Sequence, residues 1–212
     1  GLTSVAMLGG IPLEIGNGLH TFRDGYLRAG SNLSNRDFGG AVNGNFNSDD
    51  SGTGDFIGWG KWVGGSAYSG GSTVSLQDVH YVVGAPTPSS YWSSTTASAT
   101  YTADSSTATT PTTTGGSNGN AAFSSATLNL SFGPTPTVAA TVVVNFAGTQ
   151  IAGTVNGMAV NTGTSTFNGS ENGHSMAGLF VGPNAGRAGL TYAVDAGSAY
   201  GMVTGAAALT RN

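Results

Sequence analysis

The chain has 212 residues, a length that fits one or two domains, and carries 8% charged residues beside 36 glycines. Its net charge is −4, with one lysine and five arginines and no basic stripe, which excludes a nucleic-acid surface and an attraction to anionic membranes. Cysteine is absent from these 212 residues, which excludes disulfides and zinc–thiolate sites within them and sets the expectation of no lipid attachment at an N-terminal cysteine, and no apolar run reaches the ~18 residues of a membrane-spanning helix.

Polarity comes from Ser, Thr and Asn, which suit strand faces and turns and form helices poorly. A chain that opens at Gly1 is expected to be a processed or excised piece. Residues 1–19 are apolar but have no basic leader, so they do not read as a signal peptide. Residues 1–54 show short apolar bursts between Gly and Asn and are expected to form an irregular extension or cap. Within it Leu2, Val5, Met7, Leu8, Ile11 and Ile15 form a candidate assembly arm that could add as a strand to a neighbouring copy. Asn45, Asn47, Asp49, Asp50 and Asp55 place oxygen donors at close intervals beside Gly52. Calcium is the candidate ligand. The spacing departs from the usual calcium loop and lacks a closing Glu, so the same residues also read as an Asx-rich turn.

Strands are expected over 55–63 and 78–83 and, with a weaker pattern, over 95–104. Trp59 and Trp62, three apart, fall on opposite faces, one core and one rim. Residues 107–120 have no apolar anchor and are expected to be a long surface loop. Residues 126–132 alternate, with Leu128, Leu130 and Phe132 on one face. Residues 137–146 follow, with Val142, Val144 and Phe146 on one face, and Ala147-Gly148 turns the chain back. Asn156-Gly157 separates 150–155 from 158–162 by two residues of type I′ preference, which reads as a hairpin. Strands continue over 165–168, 177–181, 190–195 and 201–210. The expected fold is all-β, a predominantly antiparallel barrel of about eight strands occupying 55–212, with long polar loops.

The run 178–185, Gly-Leu-Phe-Val-Gly-Pro-Asn-Ala, followed by Gly189-Leu-Thr-Tyr192, resembles the barrel signature of the transferrin-binding-protein-B-like superfamily. Upstream, Ile57-Gly-Trp-Gly-Lys-Trp-Val-Gly-Gly65 and His80-Tyr-Val-Val-Gly-Ala-Pro-Thr-Pro88 resemble the start of the C-terminal barrel in FecR-domain surface proteins of Gram-negative bacteria. The resemblance covers roughly 55–211. It implies a non-enzymatic module at the cell exterior or outer-membrane surface. Some members bind iron-carrier proteins or haem-carrying partners. This chain departs from the superfamily's lipoproteins in having no anchoring cysteine.

The remaining motifs are weak as chemistry. Asp78 and His80 share a strand face and could form an orienting pair for a general base, or simply a polar strand face. Glu171 and His174 supply two candidate metal ligands without a third. Haem inside the barrel is disfavoured, because Leu128, Leu130, Val142, Val144, Phe146, Tyr192 and Val194 suffice to fill an eight-stranded interior. No enzyme activity and no cofactor are expected beyond the calcium candidate. Two readings follow: a structural subunit that self-assembles into a fibre or surface layer as a homo-oligomer or polymer, and a surface module that captures a protein or an iron- or haem-carrying partner.

Overall fold

In the computed structural model, backbone is described for residues 3–8, 11–15, 20–23, 26–29, 36–37, 42–49, 55–64, 66–69, 72–75 and 78–212. Side chains are described for Val5, Ala6, 55–64 and 78–212. The strands in chain order are β1 (Thr3–Leu8), β2 (Ile11–Ile15), β3 (His20–Arg23), β4 (Tyr26–Ala29), β5 (Arg36–Asp37), β6 (Val42–Asp49), β7 (Ile57–Gly64), β8 (Ser66–Ser69), β9 (Ser72–Ser75) and β10 (Val79–Gly84). After a one-turn helix α1 (Ser89–Ser94) come β11 (Ala99–Ala103), β12 (Thr112–Thr114), β13 (Ala122–Ser131), β14 (Thr137–Phe146), β15 (Thr149–Asn161), β16 (Thr166–Glu171), β17 (His174–Val181), β18 (Arg187–Asp195) and β19 (Met202–Arg211).

Eight of these strands close a ring in the order β11-β13-β14-β15-β16-β17-β18-β19, with β19 returning to β11. Every neighbouring pair is antiparallel. Strict alternation makes this possible. In β14, Val138, Ala140, Val142, Val144 and Phe146 are buried while the residues between them are half-buried. The seven residues expected to fill the interior all lie in one buried cluster, with Phe123, Met158, Phe167, Met176 and Phe180 added to them. Two-residue turns join the hairpins: Ala147-Gly148 with φ of 47° and 100°, and Asn172-Gly173 with φ of 51° and 83°. Both central residues at positive φ is the type I′ geometry that matches strand twist.

Asn156-Gly157 does not turn the chain. β15 runs unbroken through it, and the register against β14 shifts between Val138 and Ala140. Gly157 has φ 65°. The pair therefore forms a β-bulge, where a glycine at positive φ adds one residue to a strand. The tract 107–120 is also more engaged than a free loop. Thr112–Thr114 pair with β19, Ala108 bridges Ala207, and Thr109 is buried. The Thr109 backbone N–H donates to the Ala206 carbonyl at 2.8 Å, and the Ala206 N–H donates to the Thr109 hydroxyl at 2.9 Å.

The strands at 57–64 and 79–84 lie outside the ring. They form a second sheet, β2-β1-β10-β7-β6, built largely from residues in which the sequence shows no period. One face of this sheet packs on the outside of the barrel. Val5, Ile57, Trp59 and Val82 meet Ala177, Leu179, Val181, Ala193, Ala206 and Ala208 from β17, β18 and β19. The contact is close because the barrel side is lined with small residues. A Cβ on Gly189 would sit 2.8 Å from Val82. On the far face Trp62 and Tyr81 stack with ring centroids 4.3 Å apart, and both are fully buried. Neither tryptophan is a rim residue, because β7 is covered on both sides.

Helix α1 has few helix-forming residues and no side-chain N-cap. Tertiary contacts hold it: Trp92 packs on Phe132 and Phe180 and donates its indole N–H to the Ser165 hydroxyl at 2.9 Å. Ser165 in turn donates to the Thr87 carbonyl. The helix thereby caps one end of the barrel.

Candidate binding surface

The groups with catalytic potential do not converge. Asp78 has φ 55°, which turns it out of the line of β10, and its carboxylate pairs with Lys61 at 3.3 Å. His80 points to the barrel side, opposite Lys61 in the register and fully buried. Its Nδ1 pairs with the Thr109 hydroxyl at 2.7 Å and its Nε2 with the Thr112 hydroxyl at 2.9 Å. Burial, helped by the nearby Lys61 charge and opposed by Asp78, pulls its pKa down to about 3. With both ring nitrogens engaged by hydroxyls, the imidazole is a neutral clasp between the second sheet and the 107–120 tract, and the Asp78–His80 pair is not a general-base arrangement.

Glu171 and His174 face each other across the Asn172-Gly173 turn but serve different partners. Glu171 accepts from the Asn156 backbone and side-chain N–H groups at 2.8 and 3.0 Å, which covers the bulge. His174 Nδ1 accepts from the Asp195 backbone N–H at 3.1 Å. Among the described residues no group of three metal-ligating side chains occurs. Of the calcium candidates, Asn45, Asn47 and Asp49 stand at alternate positions of β6, opposite Lys61, Trp59 and Ile57, on a paired strand and not on a loop. Asp55 sits against Gly182 on the barrel, and Asp50 lies outside the described residues. Of the arm candidates, Val5 is buried against the barrel of its own chain. Met7 stands opposite His80, Leu8 opposite Ile11 and Ile15 opposite Ser4, while Leu2 lies outside the described residues.

What the fold leaves open is the other half of the barrel wall. On β11, β13, β14 and β15 the outward positions are exposed or half-buried: Thr102, Asn129, Ser131, Ala152 and Gln150 are exposed, and Thr127, Thr141, Val143 and Thr154 are half-buried. A row of threonines crosses it, each opposite the next in the register: Thr210, Thr102, Thr127, Thr141 and Thr154. The Thr141 and Thr154 hydroxyls are 2.9 Å apart. Residues 105–170 contain no Asp, Glu, Lys, Arg or His. This wall therefore offers methyl and hydroxyl groups without charge. The charge-free stretch was visible in the sequence as a gap between Asp104 and Glu171, and the motif reading passed over it.

At the α1 end, a groove of about 500 Å³ opens between α1, the 131–137 connection and the β15–β16 connection.

No family model and no curated protein sequence matches this chain. Among solved structures it is similar to a mutant transferrin binding protein B from Haemophilus parasuis Hp5, at 10% identity and TM-score 0.44, over 100% of this chain and 45% of that one. A double mutant of the same protein gives 12% identity and TM-score 0.47, over 99% and 44%. The isotype 1 transferrin binding protein B from serogroup B Neisseria meningitidis gives 12% identity and TM-score 0.45, over 100% and 43%. The chain spans less than half the length of each of these proteins. A likeness at these scores identifies no activity, partner or site.

Proposed function

We propose that the chain is a non-enzymatic binding module at the exterior of a Gram-negative cell that captures a protein partner, an iron- or haem-carrying protein among the candidates. The exterior setting rests on the resemblance of the 178–192 run, which lies on β17 and β18 of the ring, to surface-barrel proteins; the 57–65 and 80–88 runs, which carry the second resemblance, lie on the separate sheet. One observation carries the capture reading: the barrel interior is filled and half of its outer wall is sealed by the second sheet, while the outward positions of the charge-free wall of β11, β13, β14 and β15 are exposed or half-buried. Contact through such a wall needs shape and hydroxyl complementarity rather than charge pairing. Capture also fits the described residues better than assembly into a fibre or layer. Of the six arm candidates, Val5, Met7 and Leu8 lie on β1 and Ile11 and Ile15 on β2, and these strands are paired within the chain, β1 to both β10 and β2.

The test immobilises the chain and passes iron-loaded transferrin and haem-loaded carrier proteins over it. A triple variant, Thr127→Arg, Thr141→Arg and Thr154→Arg, is expected to lose a saturable partner that wild type and a Ser198→Arg control both retain. A partner retained equally by the triple variant would contradict the assignment of the wall.

A further inference from the structure

The groove at the α1 end shares no lining residue with the threonine row and is built differently. Its lining combines Trp92, Pro134 and Pro136 with the hydroxyls of Ser93, Thr96 and Thr162. Its volume of about 500 Å³ falls within the ~300–1,000 Å³ of small-ligand sites. The lining is preformed at Trp92, because the indole is fixed by Ser165 and by its contacts with Phe132, Phe180 and Tyr91.

Three features define what fits. The lining contains no ionisable side chain, so a charged ligand would exchange water for an uncompensated site. Hydroxyl-bearing residues (Ser89, Ser93, Thr95, Thr96 and Thr162) share the lining with Trp92 and two prolines. The Ser93 hydroxyl donates to the Ser90 carbonyl at 3.0 Å, which leaves its oxygen lone pairs for a donor on a ligand. Finally, the adjoining strands β11, β13 and β14 are paired to one another, so the groove does not run along an open strand edge for an extended peptide to join. A ligand with C–H faces, a rim of hydroxyls and no charge matches all three. The geometry points to a neutral saccharide of two or three pyranose units, bound at the α1 groove. This site is independent of the wall assigned above, and either can fail without the other.

The experiment is saturation-transfer NMR on the full chain with maltotriose, cellotriose and triacetylchitotriose, with sialyllactose as the anionic comparison. At least one neutral trisaccharide is expected to bind saturably and sialyllactose not to. Thr162→Arg and Thr96→Arg, each on an exposed or half-exposed position, should weaken that binding at least about tenfold while the melting temperature is unchanged. Thr154→Arg on the wall should leave it intact. Absence of saturable binding by all three neutral sugars would overturn the inference. Binding indifferent to both groove variants would do the same, as would an uncharged proline-rich peptide that displaces the best saccharide.

Discussion

The two halves of the barrel wall differ in what touches them, and their residues differ accordingly. The half made by β17, β18 and β19 presents Ala177, Ala193, Ala206, Ala208 and Gly189 to a second sheet. The half made by β11, β13, β14 and β15 presents Thr102, Thr127, Thr141 and Thr154 to its surroundings. Small apolar residues let two sheets approach to packing distance. Threonines satisfy strand preference on one side and water on the other. One closed ring is therefore a scaffold on one half and a presented surface on the other.

Several changes would break or sharpen that contrast. Ala193→Glu places a carboxylate among the apolar residues of the sealed half. It should cost about 3–5 kcal/mol by thermal or urea unfolding, the scale of an uncompensated buried charge. Acid should act on the same seam through His80. Its pKa in the folded chain is depressed from 6.5 to about 3, so the folded state takes up a proton less readily than the unfolded one. The stabilising effect of a neutral His80 is fully present above pH 6.5 and is lost as pH falls from 6.5 towards 3, by on the order of 1.4 kcal/mol per pH unit. His80→Gln should flatten the pH dependence of the melting temperature in that window.

Gly189→Ala is a smaller test. Its new Cβ would meet Val82 at 2.8 Å, so one sheet must shift, and a loss of about 1–3 kcal/mol is expected. The bare half should tolerate much more. Thr141→Ala removes a cross-strand hydroxyl pair and should cost less than about 1 kcal/mol. Thr154→Arg should stay within about 0.5 kcal/mol of wild type. A large loss at Thr154 would mean that the wall is covered and would remove the contrast.

How far the sequence disclosed this depends on the element. β14 could be placed residue for residue, because a Val- and Thr-rich run with Val142, Val144 and Phe146 on one face lies between a proline-rich connection and Ala147-Gly148. The seven interior residues were legible for the same reason. Asn156-Gly157 was not, because the preference for positive φ serves a type I′ turn and a bulge equally well. The register with β14 decides between them, and register is a tertiary fact. α1 escaped notice because Ser89–Ser94 owes its helix to the packing of Trp92 rather than to propensity. That β7 and β10 form a separate sheet was not legible, and the sequence alone places both in the barrel; their burial in the structure is what sets them apart. All six residues of β10 are buried, the pattern of a strand covered on both faces, whereas the barrel strand β14 alternates. The candidate site was less legible than the fold. Histidines and carboxylates are the residues with recognisable chemistry in the sequence, but the structure scatters them among unrelated partners, and the open surface consists of residues with no chemical signature beyond lacking charge.

Thiol labelling measures the contrast most directly, since the chain has no cysteine of its own. Single variants Thr141→Cys and Thr154→Cys on one half, and Ala193→Cys and Ala206→Cys on the other, would be reacted with a maleimide under native conditions. The account predicts rates near those of a free thiol for the first pair and protection until global unfolding for the second, a difference of more than about a hundredfold. Equal rates on the two halves would contradict it.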